Sequence, residues 1–173
     1  MMIFETNRLV VRSLTMKDEV PFSAMMGNAN VRRPIPRKVL TPEESNLKLK
    51  KLIRAEQKDN NKIWAVVLKS TNEFIGLAGF VNNNDVVANE LAYVFREKFW
   101  GNGYATEITE GLISYGFEQL NFDEIRADVC IDNIGSIKVL DKFLNRVKEV
   151  FNAKDNCMDR CYNLDKKDWK HLA

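Results

Sequence analysis

Apolar positions along the chain switch between two spacings, and the order of the switches predicts the elements. Arg8-Leu9-Val10-Val11-Arg12 is a β-branched run and reads as a first strand. Thr15, with Asp18 three positions on, opens a helix to about residue 26. Residues 28–41 contain Pro34 and Pro36, so no regular helix is expected there. Thr41-Pro42-Glu43-Glu44 combines a cap, a proline at the first helical position and acids in the first turn. The helix it starts carries Leu47, Leu49, Leu52 and Ile53 and runs to about Lys58. Residues 63–68 and 74–80 form a hairpin through Ser70-Thr71-Asn72. Asn82-Asn83-Asn84-Asp85 is a second turn and feeds a strand over 87–95.

Helical spacing returns with Ile108, Leu112, Ile113, Gly116, Phe117 and Leu120, which predicts a helix over about 104–120. Ile125, Ala127 and Val129 then alternate with Arg126, Asp128 and Cys130 in a strand over 124–130. Asn133 or Asp132 caps a further helix to about 144, and 147–151 and 160–164 read as final strands. Antiparallel strands followed by strand–helix–strand–helix predict an α/β fold, with a mixed sheet and helices on both faces.

Composition narrows the classes of function. A chain of 173 residues, 45% hydrophobic and 29% charged, reads as one globular domain over 1–173. No apolar run approaches the roughly 20 residues of a membrane span, and the first residues lack the pattern of a signal peptide. No membrane partner is expected. Cys130, Cys157 and Cys161 form an odd set, read as reduced thiols of a cytoplasmic protein. Cys157 and Cys161 are four apart and His171 is the only histidine, too few ligands to predict a metal. A net charge of +2 makes no electrostatic case for DNA. Both a monomer and a homodimer remain open.

The segment Trp100-Gly101-Asn102-Gly103-Tyr104-Ala105 falls between an extended run and the first turn of a helix. Unpaired N–H groups and the helix dipole favour an anion there, and glycine lets a ligand approach the backbone. A dinucleotide fingerprint would need a third glycine where Thr106 stands, and the chain has no phosphate-binding Gly-Lys-Ser/Thr string. Taken alone, the two glycines fit a ligand-free turn equally well.

Context decides between those readings. Glu90-Leu91-Ala92-Tyr93-Val94-Phe95, followed by Phe99-Trp100-Gly101-Asn102-Gly103-Tyr104-Ala105-Thr106-Glu107, resembles the acetyl-CoA-binding motif of the GNAT superfamily of N-acetyltransferases. The wording is similar to that of the RimJ/RimL-like branch. So are Glu5-Thr6-Asn7-Arg8-Leu9, Thr71-Asn72-Glu73-Phe74-Ile75-Gly76, Asn133-Ile134-Gly135-Ser136 and Leu164-Asp165-Lys166-Lys167-Asp168-Trp169. The resemblance implies a GNAT-type, mostly antiparallel sheet of six to seven strands with a splayed centre. It implies acetyl-CoA as co-substrate and direct transfer to a primary amine, on a protein N-terminus (a ribosomal protein among them) or a small molecule.

Site roles follow from the same resemblance. The backbone amides of Gly101, Asn102, Gly103, Tyr104 and Ala105 would hold the pyrophosphate. The strand end at Val94 and Phe95 would pair with the pantetheine arm, beside a bulge that opens the slot. One of its N–H groups would polarise the thioester carbonyl. Asn133 would hold the cofactor arm, or serve only as a helix cap, and Ser136 would lie near the sulfur. Glu90 is the candidate general base, against a plain ion-pairing role. Glu107 reads as a first-turn acid, and Tyr93 and Tyr104 as packing residues. Trp100 stands where the family has Arg or Gln, and Asn145 where it has a helix-ending Gly, which Asn can replace in a left-handed cap. These departures leave one alternative, a CoA-binding or regulatory module without activity. Arg32-Arg33-Pro34-Ile35-Pro36-Arg37-Lys38 would border the acceptor groove, as a solvated loop or as a recruiter of acidic groups.

Overall fold

In the computed structural model, which describes residues 1–57, 62–81 and 89–169, the strands join into one eight-stranded sheet. They are β1 (Met2–Glu5), β2 (Leu9–Arg12), β3 (Lys62–Leu68), β4 (Glu73–Val81), β5 (Glu90–Phe95), β6 (Glu124–Cys130), β7 (Asn145–Asn152) and β8 (Cys157–Asp165). The spatial order is β1-β2-β3-β4-β5-β6-β8-β7, antiparallel at every junction except β5–β6. The helices are α1 (Glu19–Met26), α2 (Ala29–Arg32), α3 (Pro42–Gln57), α4 (Tyr104–Glu118) and α5 (Ile134–Leu140).

Eight strands exceed the expected six to seven because Met2–Glu5 pairs with β2. Its side chains are exposed or half-buried, so no buried face marks it in the sequence. The proline-bearing segment holds a short helix, α2, which ends before Pro34 and is capped by Asn28 through Asn30 N–H at 2.8 Å. The helix after Asn133 ends at Leu140, not 144, with Asp141 in right-handed conformation. Asn145 is therefore no left-handed cap: it begins β7 opposite Asn163. Left-handed asparagines stand instead at Asn72, Asn121 and Asn156. The turn over 82–85, the start of the 87–95 strand, Lys58 and His171 lie outside the described residues.

Helices cover both faces. Trp64 and Val66 of β3 pack toward α4 with Ile108, Leu112 and Phe117; Ile63, Ala65 and Val67 pack toward α1 and α3 with Phe22, Met25 and Leu49. Burial on both sides is why β3 reads as an unbroken apolar run.

The sheet divides at the parallel β5–β6 junction. β5 and β6 share the single register pair Glu90↔Arg126, reinforced by Arg126 N–H to the Asn89 carbonyl at 3.1 Å and Asn89 Nδ2 to the Glu124 carbonyl at 2.8 Å. Beyond it each strand keeps to its antiparallel partner, β5 to β4 and β6 to β8, and the twist of the two halves carries them apart. The register of β5 on β4 is unbroken from Glu90 to Phe95, so the splay arises without the bulge expected in that strand.

Candidate functional site

The slot between β5 and β6 ends on the glycine turn. Gly101 and Gly103 have φ of +77° and +79°, a left-handed backbone that side chains other than glycine and asparagine resist. A Cβ added at Gly101 would meet nothing within 4 Å, so that backbone faces open space. Trp100 donates Nε1–H to the Phe95 carbonyl at 3.0 Å and ties the turn to the end of β5. Asn102 turns its Nδ2 back to the carbonyls of Phe99 and Trp100, at 3.2 and 3.0 Å. Of the five expected cradle residues, Gly101, Gly103, Tyr104 and Ala105 line the slot and Asn102 does not. The first N–H groups of α4, from Tyr104 on, have no partner within the helix and face that space.

Arg8 is a cation at this turn that the sequence reading assigned no role. Its Nη1 donates to the Asn102 carbonyl at 3.0 Å, its guanidinium lies 4.6 Å from the Tyr104 ring centre, and a Cβ on Gly103 would lie 3.5 Å from its Nη2. Glu107 holds it there, accepting from Arg8 Nε at 2.6 Å, Arg8 N–H at 2.7 Å and the Thr6 hydroxyl at 2.6 Å. Burial pushes the Glu107 carboxyl up, but these bonds outweigh it and keep its pKa below the ordinary value. Glu107 is thus a first-turn acid that also anchors β1–β2 to α4. The only signal in sequence was the segment Glu5-Thr6-Asn7-Arg8-Leu9, ninety-nine positions from its partner.

The slot has a volume of about 540 Å³ and is lined by Tyr93, Val94 and Phe95 on one side and Asn133 and Ser136 on the other. Arg96 N–H bonds the Ile75 carbonyl on β4, whereas the Asn89 carbonyl bonds Arg126 on β6. Alternate residues of a strand address the same neighbour, so beyond the pairing at Arg126 Tyr93 and Phe95 turn their backbone groups to the slot, the Phe95 carbonyl accepting there from Trp100. The Val94 backbone faces β4, and Val94 lines the slot through its side chain. This corrects the expected roles of the two residues: Phe95 has a slot-facing backbone and Val94 does not. Asn133 Oδ1 accepts Ser136 N–H at 3.2 Å and caps α5, and Asn133 also lines the slot.

A second cavity of about 500 Å³ opens on the α1–α3 face. Its lining shares Tyr93, Val94, Asn133 and Ser136 with the slot, so the two spaces meet there. Glu90 lines the second cavity, four residues and about 13 Å of strand from Val94. Tyr93, read from sequence as packing, has a buried Oη with no hydrogen-bond partner at this junction. Burial raises its pKa, and the neighbouring Ser136 and Thr109 hydroxyls oppose the shift. Cys130 and Asp159 line this cavity, and with Cys157 they bring three ligand atoms within 4.8 Å of one another. Cys157 therefore neighbours Cys130 rather than Cys161, because β6 and β8 are paired strands. The basic segment also divides: Arg33 and Lys38 are exposed, while Arg32 is buried, contrary to a solvated loop.

Comparison with known proteins agrees with this geometry. Residues 8–143 match the acetyltransferase (GNAT) domain family. The chain is 30% identical over 144 residues to the uncharacterized N-acetyltransferase YoaA of Bacillus subtilis, a match covering 80% of this chain and 79% of YoaA. The GNAT-family acetyltransferase of Bacillus anthracis superposes with a TM-score of 0.83 at 22% identity, over 96% of this chain and 99% of that one. RimL, a ribosomal-protein α-N-acetyltransferase solved with coenzyme A, superposes with a TM-score of 0.79 at 14% identity, over 98% and 100%.

Proposed function

Starting from the fact that this chain belongs to the GNAT acetyltransferase family and is an acyltransferase, we propose that it moves the acetyl group of acetyl-CoA directly to a primary amine. The observation that carries this reading is the meeting of two cavities at Tyr93, Val94, Asn133 and Ser136, one ending on a helix N-terminus and one open to an acceptor. Direct transfer needs donor and acceptor to reach one point from two sides, and a slot opening into a second cavity suits that need.

The residues fit the donor. The N–H groups of Gly103, Tyr104 and Ala105 bind the diphosphate, and Arg8, held by Glu107 with its Nη2 beside Gly103, offers a donor next to them. Trp100 instead braces the turn. The slot-facing backbone of Tyr93 and Phe95 pairs with the amide-bearing arm as an added strand would, and an N–H of this edge steadies the carbonyl oxygen as negative charge grows there. Asn133 Nδ2 donates to the arm.

Proton transfers at the amine and at the thiolate complete the chemistry. An amine with an ordinary pKa near 8 or above is mostly protonated at neutral pH and must lose a proton before it attacks. Glu90, in the acceptor cavity but distant from the junction, takes that proton through water. Tyr93 gives a proton to the departing thiolate beside Ser136, and the second proton that the nitrogen sheds as the amide forms restores the phenol through water; its raised pKa keeps it protonated until the thiolate leaves. RimL acts on a ribosomal protein's α-amine, and a protein N-terminus is accordingly one class of acceptor to test. The decisive experiment incubates the protein with acetyl-CoA and a panel of peptides and small amines while trapping released thiol. Acetyl-dependent thiol release that requires an amine supports the proposal. Absence of release with every acceptor, together with no stabilisation by coenzyme A, refutes it.

A further inference from the structure

The acceptor cavity has walls of opposite charge. On the sheet side stand Glu90, Asp128 and Asp159; on the helix side stand Arg32 of α2, Lys48 of α3 and Arg37 between them. Arg37 is neutralised by Asp155 of the β7–β8 turn at 2.7 Å. Arg32 and Lys48 are not: among the described residues no ion pair joins either to a carboxylate. Arg32 is only 5% exposed, and it spends Nε on the Lys38 carbonyl at 3.0 Å and Nη1 on Met26 Sδ at 3.5 Å. Among the described residues its remaining N–H donors have no carboxylate or carbonyl partner.

Lys48 is half-buried, and both burial and the positive charges of Arg32, Arg37 and Lys51 lower its pKa. Two cations in a recessed wall without counter-charge are costly to a fold, and an arriving anion would relieve that cost. We propose that Arg32 and Lys48 form an oxyanion subsite, so that the acceptor is a small primary amine that also carries an oxyanion, a carboxylate above all. The amine end lies against the acidic sheet wall near the junction, and the oxyanion lies against the helix wall. The Arg37–Asp155 bridge spans from the α2–α3 segment to the β7–β8 turn and closes one side of the cavity, which suits a compact ligand.

This inference rests on the transferase reading but fails separately from it. The probes are matched pairs of γ-aminobutyrate with propylamine, glycine with methylamine, and phosphoethanolamine with ethylamine, each with acetyl-CoA. The expected result is at least roughly tenfold higher kcat/KM for the oxyanion-bearing member, expressed in KM. Preference for the carboxylates or for the phosphate identifies which oxyanion the subsite takes. Arg32 braces the Lys38 carbonyl and its loss can unfold the segment, so the test variant is Lys48→Met, with Lys48→Arg as rescue. Lys48→Met should raise KM for the charged member at least roughly tenfold more than for its neutral partner, and Lys48→Arg should restore it. Equal kcat/KM within each pair overturns the subsite and leaves acetyl transfer standing.

A second readout does not need turnover. γ-Aminobutyrate should raise the melting temperature of the wild type and not of Lys48→Met, with propylamine ineffective on both. No rise in the wild type overturns the subsite. Loss of coenzyme A binding and of transfer to every amine overturns the transferase reading, and the subsite with it.

Discussion

Removing the Tyr93 hydroxyl separates the two roles that a buried tyrosine can have. In Tyr93→Phe the ring and its packing beside Leu91 and Phe95 are retained, and only the unpartnered Oη is lost. A buried polar atom without a partner carries a desolvation cost of about 1–3 kcal/mol, so its removal is neutral or stabilising by up to about 1 kcal/mol. For a chain of this size that corresponds to a melting temperature unchanged or raised by about 2–4 °C. Loss of the proton donor should at the same time lower kcat by about a hundredfold, the lower end of general acid contributions. The assay pairs thermal melting with steady-state thiol release at saturating acetyl-CoA. Because burial raises the Tyr93 pKa, wild-type turnover should not decline through ionisation of this group until the pH exceeds the ordinary tyrosine value of about 10. A variant that melts several degrees lower yet turns over normally would refute the reasoning, since the hydroxyl would then be structural.

Four further outcomes follow from the same geometry. Gly103→Val forces a β-branched residue to φ near +79° and places a side chain against the approaching diphosphate; acetyl-CoA affinity by calorimetry should fall at least about tenfold, more than for Gly103→Ala. Glu90→Gln should lower kcat with little change in coenzyme A affinity and alter the pH–rate profile; an unaltered profile would exclude Glu90 as base. Arg8→Gln should weaken coenzyme A binding, and more so at low than at high salt, because an exposed cation acts through a screened field. Asp141 is held at a pKa of about 2 by Arg146 first and the Tyr162 hydroxyl second. A depressed folded pKa stabilises above the ordinary carboxylate value and is lost as pH falls through about 2. The stability gap between wild type and Asp141→Asn should therefore be full at neutral pH and close between about pH 4 and pH 2, followed by chemical denaturation.

Much of the fold was written in local patterns. Seven of the strands and the three longer helices follow from apolar spacing, from the Thr41-Pro42-Glu43-Glu44 start and from the turns at Ser70–Asn72 and Gly101–Gly103, because these signals act between residues a few positions apart. The glycine turn and the Asn133 cap were readable for the same reason: backbone conformation and capping are local properties. β1 was not readable, since a strand without a buried face leaves no alternation, and its pairing depends on the free edge of β2. Nor was the early end of α5, where the pull of β8 on Asn145 prevails over a helical continuation.

The site divides along the same line. Sequence alone determined where a glycine turn would present helix N–H groups and where the helix would begin, because dipole and dihedral are set by neighbours in the chain. Only the tertiary structure decided that Arg8 stands at the cradle, that Tyr93 rather than Val94 turns its backbone to the slot, and that Arg32 is buried opposite an acidic wall. Those facts depend on strand register and on partners about a hundred positions away, and a side chain's burial exists only once the distant surface that covers it has folded into place.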